Sequence, residues 1–111
     1  MSDIDPIAIS DWMREHAEKL AEAKANRHYL EHFTDSVKAR LMKDAMIAGE
    51  KTIAGQERYA HGHPDYNQHL LGIKEAIAGE EKLKWLMLTA QSKIEIWRSM
   101  ESSKRAEMQM L

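Results

Sequence analysis

Two histidines and a glutamate at helical spacing are the first residues of this chain whose types suggest chemistry. In His28-Tyr29-Leu30-Glu31-His32 the histidines stand four apart with the acid between them. On a helix, residues i and i+4 lie on one side, so both rings can reach one metal ion while the carboxylate serves as general base. A metal-dependent hydrolase of this kind also needs a third ligand from elsewhere and a cleft for substrate. A helical chain of 111 residues has little room for either. Surface histidines on a charged helix are the preferred reading.

The densest histidine group is His61, His63 and His69, with Asp65 close by. His63 and Asp65 flank Pro64, where helix capping accounts for both. A metal site at this tip, or pH-sensitive packing there, is the sharper alternative, and the sequence leaves it open. Glu80-Glu81 is an adjacent carboxylate pair that reads as a solvated helix surface. Neither Gly55 nor Gly62 sits in a phosphate-binding loop pattern, and there is no nucleophile elbow around a serine. The chain contains no cysteine, which excludes disulfides, thiol chemistry and cysteine-ligated zinc. The expectation is a protein that is not an enzyme and needs no cofactor.

Charge is unevenly spread behind a net value of −2. Residues 1–35 carry eight acids and four bases, residues 36–81 seven and six, and residues 82–111 three and six. Lys93, Arg98, Lys104 and Arg105, with Trp97 among them, are therefore candidate nucleic-acid contacts, since phosphates need cations and stacking needs a ring. The competing explanation is an acidic first arm lying beside a basic last arm. In that arrangement position 12 falls opposite about 104 and position 20 opposite about 95, so Asp11, Glu15, Glu18 and Glu22 neutralise Arg98, Lys104 and Arg105.

The elements emerge from composition and spacing. Apolar residues make up 43% and charged residues 31%, a folded composition, and helix formers dominate. The fold class is all-α. Residues 1–9 read as a flexible lead-in barred from helix by Pro6. Helix 1 spans 10–48 with Ser10 as N-cap, a short helix spans 52–61 behind Thr52, and helix 3 spans 64–108. Together they form one domain, 1–111, a long antiparallel helical hairpin. Gly49 stops helix 1 and Gly62 with Pro64 marks the sharpest break. The helix 1 seam steps by three and four through Leu20, Ala23, Arg27, Leu30, Thr34, Val37, Leu41, Ala45 and Ala48, with Arg27 and Thr34 as polar interruptions. The helix 3 stripe begins with Leu70, Ile73 and Ile77, and continues through Leu83, Leu86 or Met87, Ala90, Ile94 and Trp97. Gly72 and Gly79 mark a close helix contact or a local bend. Ile53, Tyr59 and Ala60 are the candidates to plug the end of the hairpin.

Leu83 to Trp97 is apolar on too many sides for one partner helix to cover. Trp85, Leu88 and Ile96 lie off the seam and are the expected oligomer interface, making the protein a homo-oligomeric bundle. No apolar run reaches membrane-spanning length, and acidic Asp3 and Asp5 stand where a secretory signal carries positive charge. The expected location is the cytoplasm, with no membrane partner.

Gln56-Glu57-Arg58-Tyr59-Ala60, His63-Pro64-Asp65-Tyr66 and Ile94-Glu95-Ile96-Trp97-Arg98-Ser99 resemble small helical proteins of tailed bacteriophages and prophages, encoded near recombination functions. The resemblance implies an accessory factor in phage DNA recombination or replication, acting in the host cytoplasm on a protein partner of phage or host. It carries over no functional residue. The alternative is a phage inhibitor of a host defence protein, binding through the acidic N-terminal arm or the hairpin tip.

Overall fold

The computed structural model describes residues 4–110. Among these there are three helices and no strand: α1 (Pro6–Ile47), α2 (Ile53–Gly62) and α3 (Pro64–Met110). Helix α1 starts earlier than the sequence pattern suggests. Asp5 is the cap, its Oδ1 accepting from the N–H groups of Ile7 at 3.1 Å and Ala8 at 3.2 Å. Pro6 is the first helical residue, where its missing N–H costs nothing. Ser10 is helix interior, and of the expected lead-in residues 1–3 lie outside the described residues.

The far end of α1 closes on Gly49, whose φ of 112° suits glycine. Its N–H donates to the Met46 carbonyl at 3.1 Å, and that of Glu50 to the Ala45 carbonyl at 3.0 Å, a paired C-terminal cap. Thr52 then caps α2 by accepting from Gly55 N–H at 3.0 Å. The Glu50 carboxylate receives both the N–H and the hydroxyl of Thr52, at 3.2 and 2.9 Å. These two bonds, the N–H first, hold its pKa below the usual carboxylate range. A Cβ at 55 would meet that carboxylate, so a larger residue there would displace the Glu50 side chain from Thr52.

Contacts divide the expected single domain into two compact units. One is Ala23–Glu80; the other comprises residues up to Glu22 and from Glu81 onward. In the first, Val37, Leu41 and Ala60 form the buried cluster, with Met42 and Tyr66 packed against it. Ala60 is the plug; Ile53 and Tyr59 remain exposed. A methyl side chain lets α2 approach Val37 and Leu41 closely, which larger residues would prevent.

The seam of α3 in this unit differs from the apolar stripe. Leu70 and Ile77 are 42% and 40% exposed, while Tyr66, His69, Ile73, Ala76 and Glu80, three and four apart, turn inward. The polar interruptions of α1 explain the choice. Arg27 donates from Nε and Nη2 to the two oxygens of Glu80, which is only 4% exposed, and from Nη1 to Glu31 at 3.0 Å. Glu80 first and Glu31 second raise the Arg27 pKa. One layer on, His69 Nε2 lies 2.9 Å from the Leu30 carbonyl and 2.9 Å from Thr34 Oγ1. A carbonyl only accepts, so Nε2 carries the proton. The Thr34 hydroxyl also donates to Leu30 O, at 3.3 Å.

In the second unit, Leu83, Met87, Ala90, Ile94 and Trp97 of α3 are buried or half-buried, as are Ile9, Trp12, His16 and Leu20 of α1. Ala8, Ile9 and Trp12 border the same groove as Leu86, Thr89, Ala90 and Lys93. With Trp12 beside Ala90, the register differs from the one inferred from charge, which set position 12 opposite about 104. The acidic and basic arms are compensated along each helix instead: Asp11 with Arg14 at 2.8 Å, Arg98 with Glu95 at 3.1 Å, and Lys104 with Glu101 at 3.7 Å.

Among the described residues, Gly72 and Gly79 meet nothing at the place a Cβ would occupy, which removes the close-contact reading. Each Gly→Ala change should add about 1 kcal/mol of stability, read by urea denaturation; a loss would mean the backbone there is not plain helix. Arg27→Met should lower the melting temperature by on the order of 10 °C by depriving buried Glu80 of its guanidinium, whereas Arg27→Met with Glu80→Leu should recover most of it. A double variant as unstable as the single one would disprove that account. For Glu50 the folded pKa is depressed, so its contribution is full above the unfolded carboxylate range and fades as pH falls toward the folded value. The stability gap between wild type and Glu50→Gln should therefore be open at pH 7 and close on acidification; a pH-independent gap contradicts the bonding described.

Candidate functional site

Helix periodicity alone decides which residues α3 turns outward. Leu83, Met87, Ala90, Ile94 and Trp97 take the seam, so at 100° per residue Trp85 lies on the opposite side, with Leu88 and Ile96 within about 60° of it. Trp85 is 66% exposed, Leu88 48% and Ile96 53%. The three residues expected to form an interface thus share one exposed face of the second unit. Leu86 is half turned out at the edge of the groove.

That groove is the second feature of this unit. Ala8, Ile9 and Trp12 of α1 and Leu86, Thr89, Ala90 and Lys93 of α3 enclose an open space of about 390 Å³. The Trp12 ring stacks on His16, with centroids 4.1 Å apart, and His16 Nδ1 donates to the Trp12 carbonyl at 2.8 Å. The indole is thereby fixed from its own helix. The floor is apolar, and among the described residues Lys93 is the cation that borders it.

The candidate nucleic-acid contacts do not form one patch. Lys93 and Lys104 are eleven residues apart and fall within about 20° of each other around α3; Arg98 and Arg105 are seven apart and also fall together. The two pairs are more than about 100° apart. Arg98 and Arg105 flank a shallow recess with Trp97, Glu101 and Ser102, and two of the four cations already have acidic partners, Glu95 and Glu101, on their own helix.

The histidines separate into different structural roles. His28 and His32 are exposed, with ring centroids 6.5 Å apart, and Glu31 between them is engaged by Arg27 at 3.0 Å. At the tip, His63 Nδ1 accepts from the Asp65 N–H at 3.0 Å and so caps α3, while its ring packs on Tyr59. His61 meets Tyr66 edge-on at 5.2 Å, and His69 is taken up by the Leu30–Thr34 layer. Among the described residues no group of three or more metal-ligating side chains converges.

Glu80 is the functional-looking residue that sequence reasoning misplaces. Its neighbour makes the two look like a solvated pair, yet only Glu81 is at the surface, 3.4 Å from Lys84. The signal that could have found it is its spacing of three and seven residues from Leu83 and Met87, together with a seam arginine on α1 in need of a carboxylate. No protein-family model, no curated protein and no solved structure matches the chain. No helix among the described residues is long and apolar enough to cross a membrane.

Proposed function

We propose that this protein is a non-enzymatic helical assembly module, which self-associates through the outer face of α3 and holds a protein partner. The observation that carries this reading is the exposure of Trp85, Leu88 and Ile96 on one face of a helix whose opposite face is already packed. A tryptophan two-thirds exposed beside two exposed aliphatics is the composition of a contact surface, where aromatic anchors supply most of the energy. The polar groups that resemble catalytic ones are engaged in holding the fold: Glu80 and Glu31 by Arg27, His69 by Leu30 and Thr34, and His63 by the cap of α3. The narrower role, an accessory factor in phage DNA recombination or replication in the host cytoplasm, draws on the sequence resemblance. The split of the basic residues into two faces favours a protein partner over direct nucleic-acid contact through Lys93, Arg98, Lys104 and Arg105.

Sedimentation velocity across a concentration series tests the reading, alongside affinity capture from host and infected lysates. Wild type should sediment as an oligomer. Trp85→Lys with Ile96→Lys should give a monomer with unchanged helical circular dichroism, because both side chains lie outside the seam. A wild-type protein that stays monomeric at high concentration would falsify self-association.

A further inference from the structure

The outer face of α3 has an internal order that bears on what covers it. Trp85, Leu88, Ser92, Ile96, Ser99 and Ser103 fall within an arc of about 80°, all are exposed and none is charged. Bulk lies at one end and serines at the other. Reflected about Ser92, the strip from Trp85 to Ser99 complements itself: Trp85 falls level with Ser99, Leu88 with Ile96, and Ser92 with its own copy, while Ser103 falls level with the exposed Glu81. Self-complementarity of this kind is what a two-fold, isologous interface requires. The surface is also of the right size. An exposed tryptophan contributes on the order of 150 Å². With Leu88, Ile96 and the serines the strip carries roughly 500 Å², so two copies bury about 1,000 Å², the lower bound for a specific interface.

We infer that the occupant of this face is a second copy of the chain, its α3 running antiparallel to the first with Ser92 at the two-fold axis. The inference rests on the assembly reading above and gives it a partner, a direction and a register. Antiparallel packing seats each Trp85 over the small Ser99 of the other copy. Parallel packing would set tryptophan against tryptophan and leave the serine end without apolar contact. Small side chains at 92 and 99 allow the two helix backbones to come close, which brings the central pair within the Cα separation a disulfide needs.

The absence of native cysteine makes the register directly readable by cross-linking. Ser92→Cys and Ser99→Cys are prepared as separate full-length variants, oxidised mildly and run without reductant, with sedimentation of the unoxidised proteins in parallel. Ser92→Cys should form a covalent dimer nearly completely. Ser99→Cys should not, because its two copies lie about 21 Å apart along the axis. Equal cross-linking of both variants would overturn the antiparallel arrangement in favour of a parallel one. A sedimenting oligomer that cross-links at neither position would place the contact on another face. Monomers throughout would remove the assembly reading itself, a failure distinct from a wrong register.

Discussion

A carboxylate that is 4% exposed cannot be left without compensation, and in this protein that requirement falls on Glu80. Bringing an ion out of water costs several kcal/mol even after relaxation, a cost offset only by close, well-directed partners. Arg27 provides them with a planar fork that donates to both oxygens, and Glu31 steadies the fork from the turn beyond. The interaction is directional where the surrounding apolar contacts are not. A leucine seam tolerates a slide of one heptad at modest cost; a seam with a buried acid on one helix and an arginine on the other does not. The His69–Thr34–Leu30 layer adds a second such match. Two polar layers therefore select one pairing of α1 with α3 in the unit from Ala23 to Glu80, at some expense in stability that an all-apolar seam would avoid.

In the unit that includes Glu81 onward, the periodicity of α3 assigns each position of the helix to a side. Steps of three and four run through the inward residues Leu83, Met87, Ala90, Ile94 and Trp97. Nothing in that progression leaves an inward position for Trp85, Leu88 or Ile96. Their exposure results from a helix having one inner face and this sequence having apolar residues enough for two. The same geometry divides the basic residues, since Arg98 and Arg105 keep the heptad spacing while Lys93 and Lys104 fall on another side.

These relations explain how far the sequence can be read. The helices, the glycine stop at 49 and the break before Pro64 are legible because they depend on local preferences, which a single stretch contains in full. The outward placement of Trp85, Leu88 and Ile96 is legible for the same reason. Leu70 and Ile77 mislead because hydrophobicity ranks residues one at a time, whereas His69 and Glu80 turn inward only because Thr34 and Arg27 await them 35 and 53 residues earlier. The start of α1 is obscured by Pro6, which looks like a barrier, although with Asp5 before it a proline is a favourable first helical residue. The interhelical register cannot be inferred from net charge over whole arms, a quantity that i,i+3 pairs such as Arg14–Asp11 and Arg98–Glu95 satisfy without any cross-helix contact.

A seam fixed by polar matches does more than align α1 with α3 in the unit from Ala23 to Glu80. If that stretch of α3 were held by apolar contacts alone, it could turn so that Leu70 and Ile77 faced α1 in place of His69 and Ala76. Buried Glu80 forbids that rotation, because a turn large enough to bring them in would carry its carboxylate away from Arg27. The polar layers thus decide which apolar residues of this stretch are internal, as Ile73 is, and which, like Leu70 and Ile77, are left at the surface.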